Sequence, residues 1–247
     1  MLTVENVSKS FWDLRAVNNV SFSLKEGEVV SLIGSNGAGK TTLVNLLSGF
    51  LKPDSGTILF AGIDITQASA YKRIKLGVAR SFQLIHLFEN ASVLDNVRTP
   101  LFSKMGLIHR ALMPADSYKT ITQEALEILA NFHLSEKKDL TPKALSEGDR
   151  KILDIAIAFA LKAKLLLLDE PTSGVATQDK FKVMDSIIEV IKKERVSTMI
   201  IEHDMDIVAG YSDRVLVMHE GRLLAEGKPE AIMEHPEVKA HLFGIVE

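Results

Sequence analysis

Apolar positions along the chain fall into short β-type runs separated by stretches with helical spacing, the alternation expected of an α/β domain with parallel strands. Two runs, Val29 to Ile33 and Leu165 to Leu168, are almost wholly apolar, which predicts central strands covered on both faces. Thr198 to Ile201 has the same character. The start of the chain differs. Leu2 to Val7, Val17 to Leu24 and Thr57 to Ala61 read as separate strands, with turns at Lys25-Glu26-Gly27 and Pro53-Asp54-Ser55-Gly56, and predict a small antiparallel sheet beside the main one. Between about Leu84 and Leu161 the strand signals stop. Helical spacing in Ser92 to Val97, Ile121 to Phe132 and Asp149 to Leu161 predicts an inserted helical subdomain. Its middle, Leu101 to Met113, mixes apolar and basic residues and reads as a loop or short helix, either a partly buried connection or a membrane-facing contact. Beyond Ser212 a hairpin turns at Glu220-Gly221, and a C-terminal helix begins at Pro229. The chain carries no internal repeat and no low-complexity segment.

Composition narrows the classes. With 247 residues, 46% hydrophobic and 25% charged, the chain can bury a sizeable core without disulfide or metal staples. The 29 Lys and Arg against 32 Asp and Glu give a net charge of -3, the wrong sign for a protein held to nucleic acid by neutralising phosphates. The absence of cysteine removes disulfide frameworks, thiol catalysis and Cys-ligated zinc. Glu5 and Lys9 interrupt the first residues where a signal peptide needs an apolar stretch, and no run approaches the ~18 apolar residues of a membrane span. The expectation is a soluble, cytosolic chain.

Three motifs carry chemistry. Gly34-Ser35-Asn36-Gly37-Ala38-Gly39-Lys40-Thr41 is a full G-x-x-x-x-G-K-[ST] after an apolar strand and before the helical run Thr42 to Ser48. Glycines let backbone N–H groups face a phosphate, Lys40 reaches the β and γ phosphates, and the Thr41 hydroxyl can hold Mg²⁺. This spacing is not the G-x-G-x-x-G of dinucleotide folds. The second motif is Leu165-Leu166-Leu167-Leu168-Asp169-Glu170, a buried strand delivering two carboxylates at the edge where such sheets bind ligands. Asp169 is placed to hold Mg²⁺ and Glu170 to polarise the attacking water. The third is Leu145-Ser146-Glu147-Gly148-Asp149 at the start of a helix, where Ser146 and Asp149 form a capping-box pattern.

Positioned about twenty residues before the acidic strand end, the third motif resembles the LSGGQ signature of ATP-binding cassette (ABC) ATPases, and the resemblance covers essentially the whole chain. It implies an α/β P-loop NTPase with a RecA-like core, an antiparallel β subdomain and an inserted α-helical subdomain. The single domain divides into a core at 1–83 and 162–247 and a helical part at 84–161. ATP then contacts Phe11, Val17, Gly34, Asn36, Gly37, Ala38, Gly39, Lys40, Thr41 and Thr42, together with Ser146 and Gly148. Phe11 resembles the residue that stacks on adenine, with neighbouring Trp12, or plain core packing, as the alternatives. Thr41, Gln83 and Asp169 are implied for Mg²⁺, and Glu170, His203 and Gln83 for catalysis. Two departures stand out: Glu147 and Asp149 replace the Gly and Gln of many members, and Ser173-Gly174-Val175-Ala176 lacks the usual aspartate of the S-x-L-D loop.

Within the family the sequence is most similar to ATP-binding subunits of branched-chain or hydrophobic amino acid importers. The resembling stretches are Ala79 to Glu89, Phe102 to Leu112, Ile201 to Met205 and Pro236 to Gly244. That implies a second ABC ATPase subunit, identical or related, two integral-membrane permease subunits and an extracytoplasmic solute-binding protein as partners, with no nucleic acid. It also implies a place on the inner face of the cell membrane. Urea-type importers and the lipopolysaccharide exporter ATPase are near relatives. A soluble ABC protein of repair or translation would carry two cassettes, long coiled coils or basic insertions, and a P-loop kinase gives no reason for Ser146, Gly148 and His203 together.

Overall fold

The computed structural model describes residues 1–81, 87–104 and 118–243. Two sheets organise them. The first four strands to pair edge to edge are β1 (Leu2–Phe11), β2 (Leu14–Leu24), β4 (Ser55–Phe60) and β5 (Ile63–Asp64), in the order β2-β1-β4-β5 and antiparallel throughout. The second sheet has six strands in the order β10-β9-β3-β8-β7-β6. They are β3 (Val29–Gly34), β6 (Val78–Arg80), β7 (Leu165–Asp169), β8 (Ser197–Ile201), β9 (Arg214–His219) and β10 (Arg222–Gly227). All neighbours pair in parallel except the edge hairpin β9-β10.

The unbroken apolar runs do what their composition dictates. Leu165 and Leu167 of β7 pack with helix α1 (Lys40–Ser48) and the antiparallel sheet. Leu166 and Leu168 face the other way, toward α5 (Glu147–Ala160) and α6 (Thr177–Lys193). All four leucines are fully buried, each stabilising the fold by about 1.5–3 kcal/mol of transfer free energy. Helix α1 is thereby sandwiched between two sheets, with Leu43, Val44, Leu46 and Leu47 wholly inside. Between β6 and β7 the chain forms α3 (Val93–Lys104), α4 (Lys119–Asn131) and α5, whose apolar faces share one core with α6.

Several elements exceed the sequence reading. β1 and β2 run further, to a turn at Trp12-Asp13, and α3 continues through Pro100 to Lys104. Strand β6, only three residues long, carries no periodicity to read. The helix expected from Pro229 is two, α8 (Pro229–Glu234) and α9 (Pro236–Phe243), because Pro236 restricts His235 to extended backbone. Residues 105–113 of the mixed segment lie outside the described residues. The remaining helices are α2 (Ala70–Leu76) and α7 (Met205–Tyr211). No helix among the described residues is long and apolar enough to cross a membrane.

Register brings the motifs to one edge. Leu32 of β3 lies opposite Ile201 of β8, and Ile201 lies opposite Asp169 of β7. The residues that follow these strands, Ser35 onward, Glu170 and His203, therefore leave the sheet side by side.

Candidate functional site

The P-loop forms between β3 and α1. Gly34, Gly37 and Gly39 take φ values of 154, 83 and 98°, turning the backbone in ways a Cβ would oppose. At Gly39 the reason is also steric, since an added Cβ would lie 2.2 Å from the Ala16 carbonyl oxygen. The β9-β10 turn holds the loop from outside: the Gly221 N–H donates to the Ala38 carbonyl at 3.0 Å and the Asn18 N–H to the Gly221 carbonyl at 2.7 Å. The Lys40 ammonium folds back over the loop and donates to the Gly34 and Ser35 carbonyls at 2.6 and 2.9 Å. Burial lowers its pKa, against the opposing charges of Glu170 and Asp169.

Phe11, Asn36, Gly37, Ala38, Gly39, Lys40, Thr41, Thr42, Asp169 and Glu170 line one cavity of about 610 Å³ at the N-terminus of α1. Gly34, Asn36, Glu170 and His203 line a second, of about 420 Å³, that meets it at Asn36 and Glu170. Glu170 reaches both because its own φ is 49°, a left-handed turn at the strand end fixed by its N–H bonding the Ile201 carbonyl at 3.0 Å. His203 Nδ1 stands 3.9 Å from Glu170 Oε1. Phe11 is 38% exposed at the rim, whereas Trp12, 99% exposed, is not part of the lining.

Val17, expected to contact ATP, is not among the residues that line this cavity. It is wholly buried on the inward face of β2 with Val20 and Leu24, and the wall at that level is formed by Arg15 and Ala16. Gln83 lies outside the described residues.

Ser146 and Gly148 are not at this cavity. They line a separate one of about 610 Å³ with Asp149, Lys137, Gly174 and Ala176. Ser146 caps α5, its Oγ accepting the Asp149 N–H at 3.1 Å. Gly148 also serves packing, since a Cβ there would come within 2.9 Å of Val183 on α6.

Two supporting residues escaped the sequence reading. The Arg80 guanidinium binds Asp169 Oδ2 at 2.6 Å and Asn45 Oδ1 at 2.5 Å. Glu202, 1% exposed, accepts the Thr172 hydroxyl at 2.6 Å through Oε1 and the His203 N–H at 3.2 Å through Oε2, tying the ends of β7 and β8 together. The available signal was an ionisable residue at the end of an apolar strand.

The arrangement suits a magnesium nucleotide. A glycine-turned loop opens a buried helix beneath an ammonium, which attracts phosphate. The Thr41 hydroxyl and Asp169 carboxylate, hard oxygen donors, line the same cavity. Comparison with known proteins supplies the family. Residues 17–173 match the family of ABC transporters. This chain belongs to the ABC transporter family. The cassette is 35% identical to the probable branched-chain amino acid transport ATP-binding protein LivG of Archaeoglobus fulgidus, covering 96% of this chain and 93% of that protein. It superposes with a TM-score of 0.88 on the ADP conformation of MJ1267, an ATP-binding cassette of an ABC transporter, at 30% identity and 99% coverage of both chains. The dimeric structure of MJ0796, a bacterial ABC transporter cassette, matches with a TM-score of 0.77 at 26% identity over 93% of this chain and 99% of that one.

Proposed function

We propose that the cassette is the ATP-hydrolysing subunit of an importer of branched-chain or other hydrophobic amino acids, working as a head-to-tail pair of cassettes on the inner face of the membrane. The supporting observation is a division of labour: Lys40, Thr41, Asp169 and Glu170 share one cavity, while Ser146 and Gly148 line another. One chain thus presents two half-sites, and antiparallel pairing of two cassettes makes each whole.

In this reading Phe11 stacks on the base, the P-loop N–H groups and Lys40 hold the β and γ phosphates, and Thr41, Asp169 and Gln83 hold Mg²⁺. Mg²⁺ held there would supply positive charge against the phosphate oxygens. Glu170 takes the proton of the water that attacks the γ phosphorus, the bond to the β-γ bridging oxygen breaks, and ADP and phosphate leave. His203 contacts the γ phosphate, and the partner's signature helix covers it. Loss of that phosphate removes the contact across the pair. The helical part at 84–161 passes the motion to two permease subunits fed by an extracytoplasmic solute-binding protein. The solute assignment is supported by relatives such as the branched-chain amino acid transport ATP-binding protein LivG.

The test is purification of tagged Glu170→Gln protein from its source cell with ATP and Mg²⁺, followed by identification of the chains that accompany it. Multi-span permeases, a second cassette and a solute-binding protein are expected. Ribosomal or DNA-repair proteins in their place would overturn the transport reading.

A further inference from the structure

The signature helix of this chain begins with two acids, Glu147 and Asp149, in its first turn. A helix N-terminus welcomes an anion, but here it must also receive the γ phosphate in the head-to-tail reading, on which this inference rests. Like charges brought together across an interface weaken it.

The structure supplies a cation for one of the acids. Lys137 closes the short 3-10 turn Ser135–Lys137 between α4 and α5, its N–H bonded to the Leu134 carbonyl at 3.0 Å. Its ammonium reaches the α5 N-terminus and donates to Asp149 Oδ2 at 2.6 Å. The same oxygen accepts the Ser146 hydroxyl at 2.7 Å. Burial pushes the Asp149 carboxyl up, but the hydrogen bonds of Lys137 and Ser146 and the lysine charge outweigh it and hold the group below its ordinary value. Glu147 is treated differently: its nearest cation, Arg150, stands 4.0 Å away and is engaged with Glu89 at 2.6 Å. Asp149 is therefore the acid with a close, dedicated counter-charge, and Lys137, Ser146, Gly148 and Asp149 all line the same cavity.

We propose that Lys137 is a positioning residue of the nucleotide interface: it cancels the Asp149 charge at the mouth of the signature helix and holds that carboxylate in place beside Ser146, so that the partner's nucleotide meets a neutralised acid. Where the family commonly places a neutral glutamine, this chain uses an acid-base pair. The lysine acts through Asp149, so its loss should matter only while the carboxylate is there.

The test uses the full chain carrying Glu170→Gln, with ATP-driven pairing read by sedimentation, ADP affinity of the single cassette by calorimetry, and folding by thermal melts. Lys137→Met should weaken pairing about tenfold while leaving ADP affinity unchanged, since ADP needs no signature helix. Lys137→Arg should pair like the parent. The double variant Lys137→Met with Asp149→Gln should restore pairing, a rescue that a purely structural lysine would not give. Pairing unaffected by Lys137→Met, or a double variant no better than Lys137→Met alone, overturns the inference. A Glu170→Gln parent that does not pair with ATP overturns the head-to-tail reading and this inference with it.

Discussion

Arg80 holds Asp169 from behind the nucleotide cavity: Nη2 lies 2.6 Å from Oδ2, and both side chains are 9% exposed. The other arm, Nη1, reaches Asn45, one turn beyond Thr41 on α1. One guanidinium therefore links β6, β7 and the P-loop helix, and it presents Asp169 to the cavity with one oxygen already bonded.

Removing Arg80 strips the largely buried Asp169 carboxylate of its hydrogen-bonded cation. Arg80→Met should lower stability by about 3–5 kcal/mol in urea unfolding. Adding Asp169→Asn to Arg80→Met should recover much of the loss but no hydrolysis, separating the structural share of the pair from the chemical one. Arg80→Lys keeps the charge without the two-armed fork, so it should fall between parent and Arg80→Met.

A second buried arginine supports the same helix from its other end. Arg73 is wholly inaccessible and donates to the carbonyls of Leu46, Leu47, Thr66 and Ala68 at 2.5 to 3.1 Å. Leu46 and Leu47 belong to the last turn of α1, whose carbonyls lack partners within the helix. Burial lowers the Arg73 pKa to about 10. Arg73→Met should cost about 3–5 kcal/mol by chemical denaturation, and Arg73→Lys should not restore it, because a single ammonium cannot reach all four carbonyls that the guanidinium nitrogens reach.

These two arginines mark where the sequence stops being legible. The parallel core was readable because Leu165 to Leu168 and Val29 to Ile33 are covered on both faces, which leaves an unbroken apolar run. The P-loop and acid pair were readable because their chemistry is contiguous in the chain. Arg80 and Glu202 act across strand ends, and Lys137 across the gap between α4 and α5, so their partners lie 89, 30 and 12 residues away. Their residue type alone fitted an exposed surface equally well. Val17 shows a different limit, since a position near the P-loop in the chain carries no information about which face of β2 it occupies, and its side chain is buried.

Acid should act through another such pair. Burial raises the Glu28 carboxyl, but the hydrogen bond from Arg214 and the Lys25 N–H, with the charges of both residues, bring it below the ordinary 4.5. A carboxylate depressed in the folded state adds stability that is present above the unfolded value and is lost as pH falls through the folded one. The urea midpoint should therefore fall between about pH 5 and pH 3. Glu28→Gln should lower the midpoint at neutral pH and flatten that dependence. An unchanged slope would remove Glu28 from the account.

The P-loop glycines separate two kinds of cost. Gly37 has φ +83° and open space around a built Cβ, so Gly37→Ala meets only the intrinsic penalty of left-handed backbone, about 1–2 kcal/mol. Gly39 has φ +98° and the Ala16 carbonyl oxygen 2.2 Å from a built Cβ, so Gly39→Ala must also displace the start of β2 or the loop itself. Ala16 is cavity wall, so that displacement alters the nucleotide site as well as the fold. Gly39→Ala should therefore lose more stability than Gly37→Ala in urea unfolding, and its ADP affinity should fall further than its stability loss alone explains. Equal losses for the two alanines would show that the loop yields at Gly39 and that the Ala16 contact does not constrain it.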